Sequence, residues 1–271
     1  MNTYGRSGQN IGGYIIAHED FAERFNYIHK QTKLRSNIKF KCVGVVGARA
    51  LKQRPNCGDT TTLSDGQIGC ALSHLRAYQT MVDQNIRHAV VVEDDAALPS
   101  NFDEIVSSIA HELREGEIIS LHSPTMQSQD FSSEGSVWVA NAELLTPFEA
   151  KSVRSTLCYV IDIEAARRIL DFNQPVKFVA DNFDAFWLNG CFKYVRITSP
   201  SLVLVEPFKS TIGYLDPGSF KHLVSSVLNR LPLSKQILRN RRRKLRLVRE
   251  ANHNRVSAVS PLAAGNPNYE D

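Results

Sequence analysis

Ala89-Val90-Val91-Val92-Glu93-Asp94-Asp95 sets four apolar residues directly against three acids. An uninterrupted apolar, β-branched run of this length reads as a strand buried on both faces. The carboxylates that close it repel one another, and an ionised carboxylate out of water is costly unless something cationic meets it. A divalent ion at the mouth of a sheet meets that need, and in open α/β sheets ligands bind at the carboxyl ends of strands. Alternate residues of a strand point the same way, so Glu93 and Asp95 could face one ion whose shell phosphate oxygens complete, with Asp94 turned toward a ribose or sugar. The competing reading is a solvated acidic turn ahead of a helix whose N-terminus the acids stabilise.

On either side of this run, strand and helix signals alternate. Gly13 to Ala17 reads as a first strand, and His18-Glu19-Asp20 caps a helix from Phe21 to about Gln31 with Phe21, Phe25 and Ile28 on one face. Phe40 to Val46 reads as a second strand, and Gly47 to Thr62 as a polar loop holding Arg49, Arg54, Pro55 and Cys57. Ser64-Asp65 opens a helix to about Gln84, Asn85-Ile86-Arg87 turns into the Ala89 strand, and Pro99-Ser100-Asn101 starts a helix to about Arg114. Glu117 to Leu121 is a further strand, Ser123 to Gly135 a long polar loop, and Val137 to Val139 and Thr156 to Ile161 are strands. A helix over Ile163 to Phe172, a loop plus helix over Val179 to Leu188, and strands at Lys193 to Ile197 and Leu202 to Val205 complete the pattern. This alternation predicts an α/β sheet with helices on both faces.

The chain has 271 residues, 42% of them hydrophobic, which suits one large domain with a tail. No apolar stretch approaches the roughly 20 residues a membrane-spanning helix needs. Residues 1–10 read as disordered, without the apolar core of a secretory signal. The five cysteines are odd in number and scattered without a CxxC pair, which argues for reduced cytoplasmic thiols and against a disulfide framework or a zinc site. The domain is expected to span 11–217, with a boundary near Pro217-Gly218.

Charge is distributed unevenly. Between Lys221 and Arg255 there are eleven Lys or Arg and one acid, so a net charge of +4 divides into a tail of about +10 and a body of about −6. Leu223, Val227 and Leu231 form a helical stripe that Pro232 interrupts, and Lys235 to Arg249 holds eight basic residues. Segment 218–251 thus reads as a basic helical tail lying on an anionic membrane surface, with a solvated charged helix as the alternative. Without interleaved aromatics it is a poor single-strand binder, and no nucleic-acid partner is expected. Residues 252–271 read as a flexible terminus.

Two further segments carry candidate chemistry. In Leu63-Ser64-Asp65-Gly66-Gln67-Ile68-Gly69-Cys70-Ala71-Leu72-Ser73-His74, the glycines and small residues at a helix start allow close backbone approach to a phosphate or ring; the alternative is a tightly packed turn with His74 as a core histidine. Asp181 and Asp184 share a helical face, and either could serve as a general base toward an acceptor hydroxyl, or the pair could be a cap followed by a first-turn acid.

Taken together, Gly66 to His74, a helix, and Val90-Val91-Val92-Glu93-Asp94-Asp95 resemble the core signature of glycosyltransferase family 25, the lipopolysaccharide and lipooligosaccharide biosynthesis family. Tyr14-Ile15-Ile16 with Arg24 resembles the family's opening strand and arginine. Cys158 to Ile161 with Ala165 to Leu170 resembles its later strand and helix, Asp181 falls at the acid that follows, and Ser210-Thr211-Ile212 resembles its closing motif. The resemblance implies a GT-A type nucleotide-sugar-binding sheet and inverting transfer of a sugar, most often galactose, from a UDP-sugar to a saccharide hydroxyl. It implies Mn²⁺ or Mg²⁺ held by Glu93 and Asp95, with Asp94 near the donor sugar or ribose. Gly66, Gln67, Gly69, Ser73 and His74 would shape the donor pocket, Asp181 would lead and Asp184 follow as candidate base, and Ser210 and Thr211 would line the diphosphate side. The acceptor would be a saccharide or lipid-linked saccharide, and the protein cytoplasmic and peripheral on the inner face of the plasma membrane. A non-catalytic relative acting in adhesion or assembly is the alternative.

Overall fold

The computed structural model describes residues 10–44, 63–123 and 130–208. In chain order the elements are β1 (Ile11–Ile16), α1 (Ala22–Lys33), β2 (Phe40–Cys42), α2 (Asp65–Asp83), β3 (His88–Glu93), β4 (Ala96–Ala97), α3 (Phe102–Glu112), β5 (Glu117–Ser120), β6 (Phe131–Val139), β7 (Ala142–Pro147), β8 (Cys158–Asp162), α4 (Ile163–Asn173), α5 (Phe183–Leu188), β9 (Tyr194–Ser199) and β10 (Leu204–Val205). The Arg49, Arg54 and Cys57 loop, Ser210, Thr211, the Pro217-Gly218 boundary, the basic segment 218–251 and residues 252–271 lie outside the described residues.

The apolar run is the hub of an eight-stranded sheet of order β2-β1-β3-β8-β5-β9-β7-β6. Val90, Val91 and Val92 are fully buried because both faces of β3 are covered. Tyr14, Ile16, Ala89 and Val91 belong to one core with Leu75, Tyr78 and Met81 of α2 and Ala166 and Ile169 of α4. Ile15, Val90 and Val92 belong to the opposite core with Ile28 of α1 and Phe102, Ile105 and Ile109 of α3. Helices therefore lie on both faces, as the alternation implies.

Local chemistry fixes the helix that leads to β3. Ser64 and Gln67 form a capping box at the start of α2, the serine side chain accepting from the Gln67 amide and the glutamine side chain accepting from the Ser64 amide. At its end Asn85 adopts φ 50°, its amide donates to Val82 and the Ile86 amide donates to Met81, which is the Schellman arrangement. Asparagine tolerates this left-handed geometry better than most residues.

β1 pairs in parallel with β2 and β3, whereas β8 runs antiparallel between β3 and β5. That reversal matters for the site. It brings the residues just before β8 beside the end of β3, where the Glu93 amide donates to Leu157 O at 2.9 Å.

The far side of the sheet departs from the sequence reading. The polar stretch ending at Gly135 is a loop only in part, because β6 begins at Phe131, and the Val137 to Val139 strand is its second half. Its Ser-Ser-Glu-Gly-Ser composition suits an irregular edge, with a register shift between Ser132 and Val137 and φ 64° at Gly135. β7 has no counterpart in the sequence reading: Ala-Glu-Leu-Leu-Thr-Pro has no clean alternation, yet Leu144 and Leu145 are buried by pairing with β9. The expected strand at Leu202 to Val205 is reduced to β10, paired with β4.

Under the sheet, Arg196 of β9 donates to both carboxylate oxygens of Glu117 at 2.6 and 2.9 Å and to Glu112 O at 2.6 Å, with both side chains of the ion pair almost wholly buried. No helix of the described residues is long and apolar enough to cross a membrane.

Candidate active site

β3 ends at Glu93, and Asp94 and Asp95 occupy the turn that follows. The strand alternation expected to align Glu93 with Asp95 therefore stops one residue short, and the acids take different immediate partners. Arg24 of α1 bridges the two aspartates, Nη2 lying 2.5 Å from Asp94 Oδ1 and 2.7 Å from Asp95 Oδ2. Glu93 turns the other way. Its Oε1 accepts from Thr156 Oγ1 at 2.5 Å and lies 3.3 Å from His74 Nε2.

His74 is both a core residue and a site residue. Its Nδ1 pairs with Tyr159 OH at 2.8 Å, and Tyr159 OH with Tyr78 OH at 2.7 Å, making a buried chain from α2 through β8 to Glu93. Ser73 is also buried, and its hydroxyl donates back to Gly69 O at 2.7 Å, within the helix. Gln67 is engaged in the cap, Gly69 is buried and Gly66 half-buried in the first turns of α2.

The charges act on one another. Burial and the Glu93 carboxylate lift the Asp95 carboxyl to about 6. Burial also raises Asp94, against the pull of Arg24. For Glu93 burial is outweighed by His74, Thr156 and the charge of Arg24, and its carboxyl sits below the ordinary range. Asp181 is raised by burial and then by Glu93, so the structure brings it within electrostatic reach of the acids. It is not the helix cap. Asn182 caps α5 by accepting from the Ala185 amide, and Asp184 sits in the first turn, where the helix dipole favours an acid.

The chain returns over these acids before the described residues end. β10 pairs with β4 directly after the acidic turn, and the Glu206 amide donates to Asp95 O at 2.8 Å. Tyr27 OH donates to Glu206, and the Phe208 ring lies 5.8 Å from the Arg24 guanidinium.

This donor set fits a hard divalent ion. Among the described residues, Asp95 Oδ1 is buried with no hydrogen-bond partner, and three carboxylates stand against one bridging guanidinium. Clustered carboxylate oxygens are the donors a hard divalent cation takes.

The family model for glycosyltransferase family 25 (LPS biosynthesis protein) matches residues 11–184. The chain belongs to glycosyltransferase family 25. A comparison with curated proteins finds no match. The matched region opens at the first residue of β1 and closes in the first turn of α5, so it takes in Arg24, α2, the acidic turn and Asp181. In this family 25 chain, four groups around the acids stand outside the roles expected from sequence: Arg24 as a bridge, Cys70, Thr156 and Tyr159. Cys70 was legible as lying one helical turn from His74. Thr156 left no local signal, because only the antiparallel course of β8 brings it to Glu93.

Proposed function

We propose that the protein transfers a sugar, galactose being the leading candidate, from a UDP-sugar to a saccharide hydroxyl with inversion, in lipopolysaccharide or related surface-glycan synthesis. The observation that carries this reading is the acidic turn at the end of β3, neutralised only in part by Arg24 and holding a buried carboxylate oxygen without a hydrogen-bond partner among the described residues. Asp95, with Glu93, would hold a divalent ion, which supplies charge stabilisation to the departing diphosphate. Arg24 keeps Asp94 and Asp95 in place. Thr156 orients Glu93, and together with the nearby His74 it favours the ionised carboxylate. Asp181, raised by burial and by Glu93, is suited to take the acceptor proton. The groups gathered around the acidic turn would align acceptor and donor.

Titration calorimetry with UDP-galactose, with and without Mn²⁺, tests the donor and metal assignments together. Metal-dependent binding is expected; equal binding in a chelator would refute the metal assignment, and no binding under either condition the donor assignment. Asp181→Asn is expected to retain donor binding and to lose about 100-fold or more in transfer, within the range of a general base. Full activity in that variant would place the base elsewhere.

The basic segment 218–251 supports a second partner, an anionic membrane surface bearing lipid-linked acceptors, at about 1 kcal/mol per basic residue near the surface. Truncation after Phe220 is expected to abolish sedimentation with phosphatidylserine vesicles and to spare transfer to a soluble acceptor. Unchanged sedimentation would sink the assignment.

A further inference from the structure

We propose that Cys70, His74 and Glu93 form a transition-metal site that takes an ion of the Zn²⁺ class, separate in character from the hard-cation site at Asp95. Their ligand atoms, one sulfur, one imidazole nitrogen and one carboxylate oxygen, all lie within 4.8 Å of one another. Cys70 and His74 are four residues apart on α2 and so share a face, while Glu93 comes from the end of β3.

The imidazole is the deciding group. His74 is 1% exposed, and its Nε2 has no aligned hydrogen-bond partner among the described residues although Glu93 Oε1 is 3.3 Å away. Nitrogen and oxygen ligands bound to one tetrahedral Zn²⁺ at about 2.0–2.2 Å stand about 3.3–3.5 Å apart. Nε2 and Oε1 already have the spacing of two ligands of one ion without the alignment of a hydrogen bond. The surroundings are those of a metal ligand. Tyr159 OH holds the far ring nitrogen of His74, Tyr78 OH backs Tyr159, and Thr156 holds Glu93. A thiolate with an imidazole and a single carboxylate selects Zn²⁺ over Mg²⁺ or Ca²⁺. On binding, the Cys70 thiol releases its proton to solvent and the sulfur becomes a thiolate ligand. The fourth position is left to water or another ligand. Such an ion ties α2 to the end of β3 and engages Glu93, so it competes with a hard ion for that carboxylate.

Cobalt(II) reports this site without any sugar donor, so its outcome is independent of the proposed transfer reaction. Metal-stripped full-length protein titrated with Co²⁺ is expected to develop tetrahedral d–d absorption and a near-ultraviolet thiolate-to-cobalt band at one equivalent, both displaced by one equivalent of Zn²⁺. Cys70→Ser should remove the thiolate band and weaken Co²⁺ binding at least tenfold. Asp95→Ala should leave the band intact. Absence of the band in the unaltered protein, or its persistence in Cys70→Ser, overturns the proposal. If Cys70→Ser does not fold, as judged by circular dichroism, Glu93→Gln takes its place: at least tenfold weaker Co²⁺ binding supports the site, and unchanged affinity overturns it.

Discussion

Asp95→Asn is expected to lower sugar transfer by about 100- to 1000-fold, the range seen when one electrostatic stabiliser of a developing charge is removed, and at the same time to raise thermal stability in divalent-free buffer. The two effects have one cause. Asp95 sits in a turn with Asp94 beside it and Glu93 just before, and Arg24 serves both aspartates. One of its oxygens is buried without a hydrogen-bond partner among the described residues, and burial with the Glu93 charge disfavours its ionised form. A buried acceptor left unsatisfied costs about 1–3 kcal/mol, and removing the charge relieves part of that. Thermal unfolding in EDTA should show a midpoint equal to or above that of the unaltered protein, and adding Mn²⁺ should raise the unaltered protein's midpoint more than the variant's. A variant that keeps its transfer rate would remove Asp95 from the chemistry. One that loses stability in EDTA would show that the turn is held by this carboxylate rather than strained by it.

Glu117→Ala is expected to have the largest effect on folding, with little on the chemistry of the folded fraction. The Glu117 carboxylate accepts two hydrogen bonds from Arg196, and both residues are buried between β5 and β9. Removing one partner leaves a guanidinium out of water, an effect of about 3–5 kcal/mol. At about 2–4 °C per kcal/mol for a domain of this size, the unfolding midpoint should fall by roughly 6–20 °C. Replacing both residues with apolar side chains of similar volume should recover much of the loss, since the pair itself need not be strongly stabilising. Denaturant unfolding of the single and double variants checks this, and a loss under 1 kcal/mol in Glu117→Ala would show that water reaches the pair.

What the sequence made legible follows from how local each signal is. The helix start at Ser64-Asp65, the turn at Asn85 and the valine run of β3 are written within a few residues, and each appears where expected. The two-sided burial of β3 also follows from its composition. β7 was illegible because its burial comes from pairing with β9, and the first half of β6 because its serines and glycine describe an edge as well as a loop. At the site, the acids and His74 could be named in advance, but not their arrangement. The bridging by Arg24 depends on where α1 lies relative to the acidic turn, and the grip of Thr156 on Glu93 depends on the direction of β8. The grouping of Cys70, His74 and Glu93 could not be read from cysteine spacing, because its carboxylate comes from the end of a strand rather than from a neighbouring residue.

The return of the chain at β10 sets a leash. Phe208 lies over Arg24 at the mouth of the acidic turn, and Lys221, the first basic residue of the tail, is thirteen residues further on. A peptide of that length extends to at most about 45 Å. Any surface gripped at Lys221 would therefore keep the acidic turn inside a shell of that radius, and on the proposed function an acceptor rooted in the same surface would be met at high local concentration.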